Sequence, residues 1–292
     1  MSRSRILAPG WLCPIPVALL LACAGCGRGE PETSGSPSLQ DASGESGTQT
    51  RELKRLGPGV YKQSWVTPDS REIDFVISVP DEVYSDQKVP LVLVLHFGAD
   101  RFPRFFGGQT LGGMVLPALE GMSAIAVAPD VINKTWTNPQ CEESVMALME
   151  EVCQVYPVDT RRILVTGYSL GGRGTWHFAG RYPEFFTAAI PVAGRPPADY
   201  AETRWTVPML CIQSPDDEVF PIKYTRDAVN ELQERDLTVQ MYEVEGISHY
   251  DSARFVEPLK TAMGRVRQIW DARASNASPG QPAAGKTGSP DD

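Results

Sequence analysis

The run Arg161-Arg162-Ile163-Leu164-Val165-Thr166-Gly167-Tyr168-Ser169-Leu170-Gly171-Gly172-Arg173-Gly174-Thr175-Trp176 decides the fold. Its first six residues read as a strand. The segment from Gly172 onward reads as a helix, and the G-x-S-x-G pattern Gly167–Gly171 joins the two. A sharp strand-to-helix turn of this kind forces its central residue into a strained conformation with its side chain exposed. Small residues on either side let strand and helix approach. Ser169 is therefore the candidate nucleophile, and a Gly-rich turn with an incidental serine is the competing reading. Leu170 opens the helix, where backbone N–H groups favour negative charge, so its amide is a candidate oxyanion donor.

Outward from this turn the pattern repeats. Val60–Val66 and Ile73–Val79 alternate apolar and polar residues, as an antiparallel hairpin at a sheet edge does. Continuous apolar runs follow at Val89–Phe97, Ala124–Ala128, Ile163–Thr166, Ala188–Val192, Val207–Ile212 and Val239–Val244, the mark of strands buried on both faces. Helical stretches separate them, among them Glu142–Val155, Gly172–Arg181, Lys223–Glu234 and Val256–Ala272. The expectation is one doubly wound α/β domain over residues 56–272. It has a mostly parallel central sheet, an N-terminal antiparallel hairpin and helices on both faces.

A nucleophilic serine needs a base and an acid. The chain has 3 histidines. His177 lies eight residues beyond Ser169 on the same helix, ~12 Å along its axis and out of reach, so it is read as a packing or surface residue. His96 ends a central strand but precedes the serine. His249 follows the last strand in Gly246-Ile247-Ser248-His249, where the chain order Ser…Asp…His places the base. The acid belongs on the loop Gln213-Ser214-Pro215-Asp216-Asp217-Glu218-Val219-Phe220-Pro221. Asp217 is chosen with Asp216 as the alternative, and the unused carboxylates are read as a solvated turn. A second oxyanion donor is sought in Leu95-His96-Phe97-Gly98, at Gly98 or less favourably at Phe97, with His96 fixing the loop. Candidate pocket residues are Phe97, Arg101, Trp136 and Tyr168; in Arg101-Phe102-Pro103-Arg104-Phe105-Phe106 two guanidinium groups could meet an acidic acyl group, or the aromatics could simply pack the loop.

The ends read differently. Residues 1–26 have Arg3 and Arg5, an apolar centre Val17–Leu21 and small residues to Cys26, which reads as an export signal too short and broken to span a membrane well. Leu20-Leu21-Ala22-Cys23 resembles a bacterial lipobox. Cys26 is the second candidate for lipidation, and Ala22-Cys23-Ala24 would alternatively give a cleaved, secreted product. Residues 27–55 and 273–292 have the composition of a flexible tether and tail. A net charge of −9 argues against a nucleic-acid partner. Of 6 cysteines, Cys141, Cys153 and Cys211 lie in the body. On one helix Cys141 and Cys153 would sit ~18 Å apart, so buried free thiols are expected, and none has zinc-ligand spacing.

With these residues placed, the segment from about 58 to 270 resembles bacterial α/β-hydrolase esterases of the prolyl-oligopeptidase-like, phospholipase/carboxylesterase and feruloyl-esterase types. The matching stretches are Tyr156–Ile163, Gly167–Trp176, Arg181–Phe186, Pro191–Gly194 and Asp217–Pro221. The resemblance implies a Ser169–His249–Asp217 triad that cleaves small-molecule carboxylic esters through an acyl-enzyme, with no cofactor or metal. In two places the chain departs from the family's His-Gly: Phe97 follows His96, and Gln213-Ser214 precede the acid. An oligopeptidase uses the same triad but carries a gating domain, for which 292 residues leave no room. A catalytically silent, membrane-tethered binding protein is the reading from another class.

Overall fold

The computed structural model describes residues 52–85, 87–235 and 237–277; the export signal, the lipidation candidates Cys23 and Cys26, and most of the tether and tail lie outside them. Eight strands form one sheet: β1 (Gly59–Val66), β2 (Glu72–Val79), β3 (Val89–Leu95), β4 (Ile125–Pro129), β5 (Val158–Tyr168), β6 (Ala188–Val192), β7 (Met209–Gln213) and β8 (Val239–Glu243). Their spatial order is β1-β2-β4-β3-β5-β6-β7-β8. β1 pairs antiparallel with β2, and β2 antiparallel with β4, whereas β4 through β8 run parallel. This is the α/β-hydrolase architecture, with the edge hairpin and buried parallel strands that the residue pattern implies. The order turns back between β4 and β5, and in such sheets the crevice at the carboxyl ends of the strands there is where ligands bind.

Among the described residues six α-helical segments cover the sheet: α1 (Gly107–Thr110), α2 (Leu116–Ala118), α3 (Pro139–Val155), α4 (Leu170–Arg181), α5 (Ile222–Glu234) and α6 (Val256–Ala277). A π turn, Leu111–Val115, joins α1 to α2. Alternate residues of β3 point to opposite faces, as the pleat requires. Leu91, Leu93 and Leu95 join a core with Val145 and Met149 of α3, Trp176 of α4 and Leu232 of α5. Val92 and Val94 join a second core with Leu259, Met263 and Trp270 of α6. At α3, Asn138 accepts hydrogen bonds from the Gln140 and Cys141 amides and Pro139 occupies the first turn, so the helix starts three residues before the apolar pattern suggests. α6 runs five residues past Ala272. The residue pattern does not mark 107–118 as helical, because Gly107, Gly108, Gly112, Gly113 and Pro117 all weaken helical propensity.

Candidate active site

The strand-to-helix turn is held by main-chain contacts. Ser169 has φ 57° and ψ −112°, a strained region for a residue with a side chain. A Cβ on Gly171 would lie 1.9 Å from the Leu95 carbonyl oxygen, and one on Gly167 2.6 Å from that same oxygen. Only glycine lets β3, β5 and α4 meet this closely. The Ser169 N–H donates to Val192 O of β6 at 3.0 Å, which locks the turn to the neighbouring strand.

Three loops deliver the other groups. Ser169 Oγ lies 2.8 Å from His249 Nε2, and His249 Nδ1 lies 2.8 Å from Asp217 Oδ2. The carboxylate is buried, so Nδ1 carries the proton toward it and Nε2 is left to accept from the serine. Tyr168 stacks on the imidazole at 5.6 Å and 25°, while Phe220 packs edge-on from another side. Burial first, and then the charges of Asp217 and Glu218, push the Tyr168 phenol up, so it stays protonated. Tyr168 is thus a packing partner of the base; being buried, it offers little wall to a pocket.

The acid loop assigns a task to each of its three carboxylates. Asp217 Oδ1 accepts the Val219 and Phe220 amides at 2.9 and 2.7 Å, and Oδ2 accepts Gln213 Nε2 at 2.8 Å in addition to the imidazole. Asp216 Oδ2 accepts the Gly246 amide at 2.6 Å. Glu218 accepts the Ser248 hydroxyl at 2.6 Å and the His249 amide at 2.9 Å. Those two bonds, the hydroxyl's the larger, pull the Glu218 carboxyl down to about 2. The expectation of a solvated turn for Asp216 and Glu218 is therefore corrected. Both are exposed, yet both grip the loop that carries the base. Gln213, which departs from the family pattern, is buried at the end of β7. Its amide donates to both Asp217 and Phe220 O, so it helps hold the acid in place.

On the serine's other side, His96 is fully buried among Phe102, Phe106 and Trp136. Its Nδ1–H donates to Phe97 O at 2.7 Å, and its Nε2 accepts the Val131 amide at 3.0 Å. Burial pulls its pKa down to about 4, opposed by the bond to Phe97, so the ring is neutral. A trans peptide directs its C=O and N–H to opposite sides, so the Gly98 N–H points away from this imidazole. Gly98 is exposed and adjoins Leu170; a Cβ built on it would lie 3.5 Å from Leu170 Cβ. Among the described residues neither the Gly98 nor the Leu170 amide has an acceptor. Phe97 is not among the residues with positive φ, so the side chain standing where the family has glycine introduces no backbone strain.

Other expected site residues are relocated. Trp136 lies in the core beneath His96, with its indole N–H on His96 O at 3.1 Å, and is 1% exposed; it cannot wall a pocket. Arg104 is engaged by Asp74 at 2.6 Å, with Ser64 and Glu72 beside it, so it is not available to a substrate. Phe97, Phe102 and Phe106 pack on one another, and Asp130 accepts the Phe105 and Gly107 amides, which fixes the loop against the body. Arg101 remains exposed at its start. His177 is bound by Glu142 at 2.7 Å, far from the triad chemistry; Tyr182 and Arg181 share that carboxylate. Cys141, Cys153 and Cys211 are free thiols, pushed up by burial. Among the described residues no group of three His, Cys, Asp or Glu side chains gathers that could hold a metal ion.

A profile of the dienelactone hydrolase family matches residues 106–254, just over half of the chain. The match includes all three triad residues and begins after the Phe97–Gly98 loop. A search of curated proteins finds no match. Among solved structures the chain is similar to a thermostable esterase (24% identity, TM-score 0.62), covering 72% of this chain and 62% of that one. It is similar also to S-formylglutathione hydrolase from Staphylococcus aureus (16%, TM-score 0.57), over 73% of this chain and 99% of that one. A third is a putative dipeptidyl aminopeptidase IV from Bacteroides ovatus (15%, TM-score 0.58), covered over 72% and 36% respectively. At these identities each likeness speaks for the fold.

Proposed function

The chain belongs to the dienelactone hydrolase family, and from that premise we propose that it hydrolyses small carboxylic esters through an acyl-enzyme on Ser169. The observation that carries this reading is the pair of 2.8 Å hydrogen bonds linking Ser169, His249 and Asp217. His249 Nε2 takes the serine proton as Oγ attacks the ester carbonyl carbon. The Leu170 and Gly98 amides receive the oxyanion. The carbonyl–alkoxide bond then breaks, and His249 returns its proton to the departing alcohol. Water, deprotonated by the same imidazole, attacks the acyl-enzyme; the acyl–Oγ bond breaks, His249 returns the proton to Ser169 Oγ, and the acid leaves. Residues 193–208, between β6 and β7, hold only a short 3-10 turn, and this supports an open site and an accessible ester rather than a lidded one.

A fluorophosphonate probe is expected to label the wild-type protein and not Ser169→Ala. Failure of the wild type to label, with short p-nitrophenyl esters left intact, would return the chain to the silent binding protein. The N-terminal sequence supports export and lipidation at Cys23 or Cys26 as part of the same proposal, with the cell envelope as the location. A palmitate-labelled product sensitive to globomycin is the expected result; a product cleaved after Ala24 would replace it with a secreted one.

A further inference from the structure

The end of the sheet opposite the triad carries a second feature. β5 runs from Val158 to Tyr168, so its two ends are ~30 Å apart. At the amino ends of the strands lie two adjoining cavities of about 560 and 270 Å³ that share Arg162 and Trp270. Five cations line them: Lys88, Arg161, Arg162, Arg267 and Arg273. The acidic lining residues are Glu82, Asp159 and Asp271. In a chain with 27 basic and 36 acidic residues, this face inverts the balance. Asp159 takes up part of the charge of Arg161 and Arg162, but the Arg161 side chain is still 76% exposed.

Two more observations converge there. Tyr84, one of four exposed large hydrophobics among the described residues, is 69% exposed on the turn that leads into β3. The first described residues of the N-terminal segment also lie on this side. The Leu56 amide donates to Tyr156 Oη just before β5, and Arg55 Nη2 to Val83 O. At least 25 residues separate Cys26 from the first described residue, Glu52.

We propose that this basic face, with Tyr84 at its edge, rests on an anionic phospholipid bilayer, so that the triad faces the aqueous phase. A tyrosine beside arginines and lysines suits the headgroup region, where each cation adds to attraction for acidic lipid and the ring prefers the interface. The inference goes beyond ester hydrolysis and does not require the lipid anchor.

The test uses the full chain carrying Cys23→Ser and Cys26→Ser, mixed with vesicles of phosphatidylcholine alone or with about 30 mol % phosphatidylglycerol. Association with the anionic vesicles is expected to be about tenfold tighter or more, and to fall as salt rises. Hydrogen exchange should slow in residues 84–90 and 265–274, and stay unchanged in 96–102 and 216–220. The combined Lys88→Glu, Arg267→Glu and Arg273→Glu variant should lose the preference while hydrolysing a p-nitrophenyl ester as its parent does. Equal binding to both vesicles, protection absent from the basic face, or undiminished preference in the reversed variant would overturn the proposal. Loss of ester turnover in parent and variant alike would instead count against the hydrolase reading and leave the vesicle result standing.

Discussion

The two ends of the sheet use charged residues in opposite ways. At the carboxyl ends of the strands, Asp216, Asp217 and Glu218 point their carboxylates at amides, a hydroxyl and an imidazole, and few of their bonds join opposite full charges. At the amino ends, the buried Asp159 answers Arg161 and Arg162 directly; Arg161 stays largely in water, while Arg162 is half-buried. Bonds from a carboxylate to main-chain N–H groups fix the course of a loop. An ion pair whose cation reaches into solvent leaves that cation free to move and is weakened by salt. The first arrangement positions a base; the second keeps charge available at a surface.

The largest break in this contrast should come from Asp217→Asn, which alters the partner of His249 Nδ1 while keeping the shape. A loss in kcat of about 10⁴-fold is expected, read by steady-state hydrolysis of an activated ester. Next is Gly171→Ala, whose methyl would enter the space of Leu95 O. It should cost about 4 kcal/mol or leave the chain unfolded, as denaturant titration would show. A third effect is set by pH. The folded His96 is held at about 4 against an ordinary value of 6.5, so between these values the unfolded chain binds more protons. Stability should therefore be full above pH 6.5 and decline as pH falls toward 4, by on the order of 3 kcal/mol. His96→Gln should flatten that slope in thermal melts taken across the range.

Glu218→Gln sharpens the comparison at a smaller scale. Glutamine cannot accept from both Ser248 and the His249 amide as the carboxylate does, so kcat should fall by about tenfold with KM little changed. An equal loss in KM alone would show that Glu218 meets substrate rather than the histidine loop. The smallest change is expected from Asp159→Ala at the other end. It should shift stability by about 1 kcal/mol and leave turnover untouched: the carboxylate is buried, but Arg161 lies in water and keeps its solvation when the pair is lost.

Much of the fold was legible in the sequence because buried parallel strands write themselves as unbroken apolar runs, and the hairpin as alternation. The elbow was legible because Gly167 and Gly171 have a steric reason to be glycine. Helical rise alone ruled out His177, and chain order then pointed to His249. What could not be read was the division of work among Asp216, Asp217 and Glu218, since their partners Gly246, Ser248 and His249 lie about thirty residues away and meet them only through the pairing of β7 with β8. Gln213 was hidden for a different reason: its partners Asp217 and Phe220 are near in sequence, but only the folded turn brings them to its side chain. Trp136 misled because an indole beside polar residues reads like a pocket wall, whereas its partner, the His96 carbonyl, sits inside the core. The helical stretch at 107–118 contradicts its own glycines, and packing against β2 and β4 sustains it where propensity does not: Val76 lies against Gly108, and the Ala128 carbonyl against Gly107.

Ser169 is registered by Gly167, Gly171 and the Val192 carbonyl, none of which offers a side chain to a bound ester. The coordinates of attack are thus stored apart from the surfaces that would choose what is attacked. Val219 and Tyr250, exposed beside Asp217 and His249, can be exchanged without moving the hydroxyl. For a lineage or an engineer, this makes substrate preference a set of replaceable fittings around a fixed point, and a change of diet need not begin with a loss of catalysis.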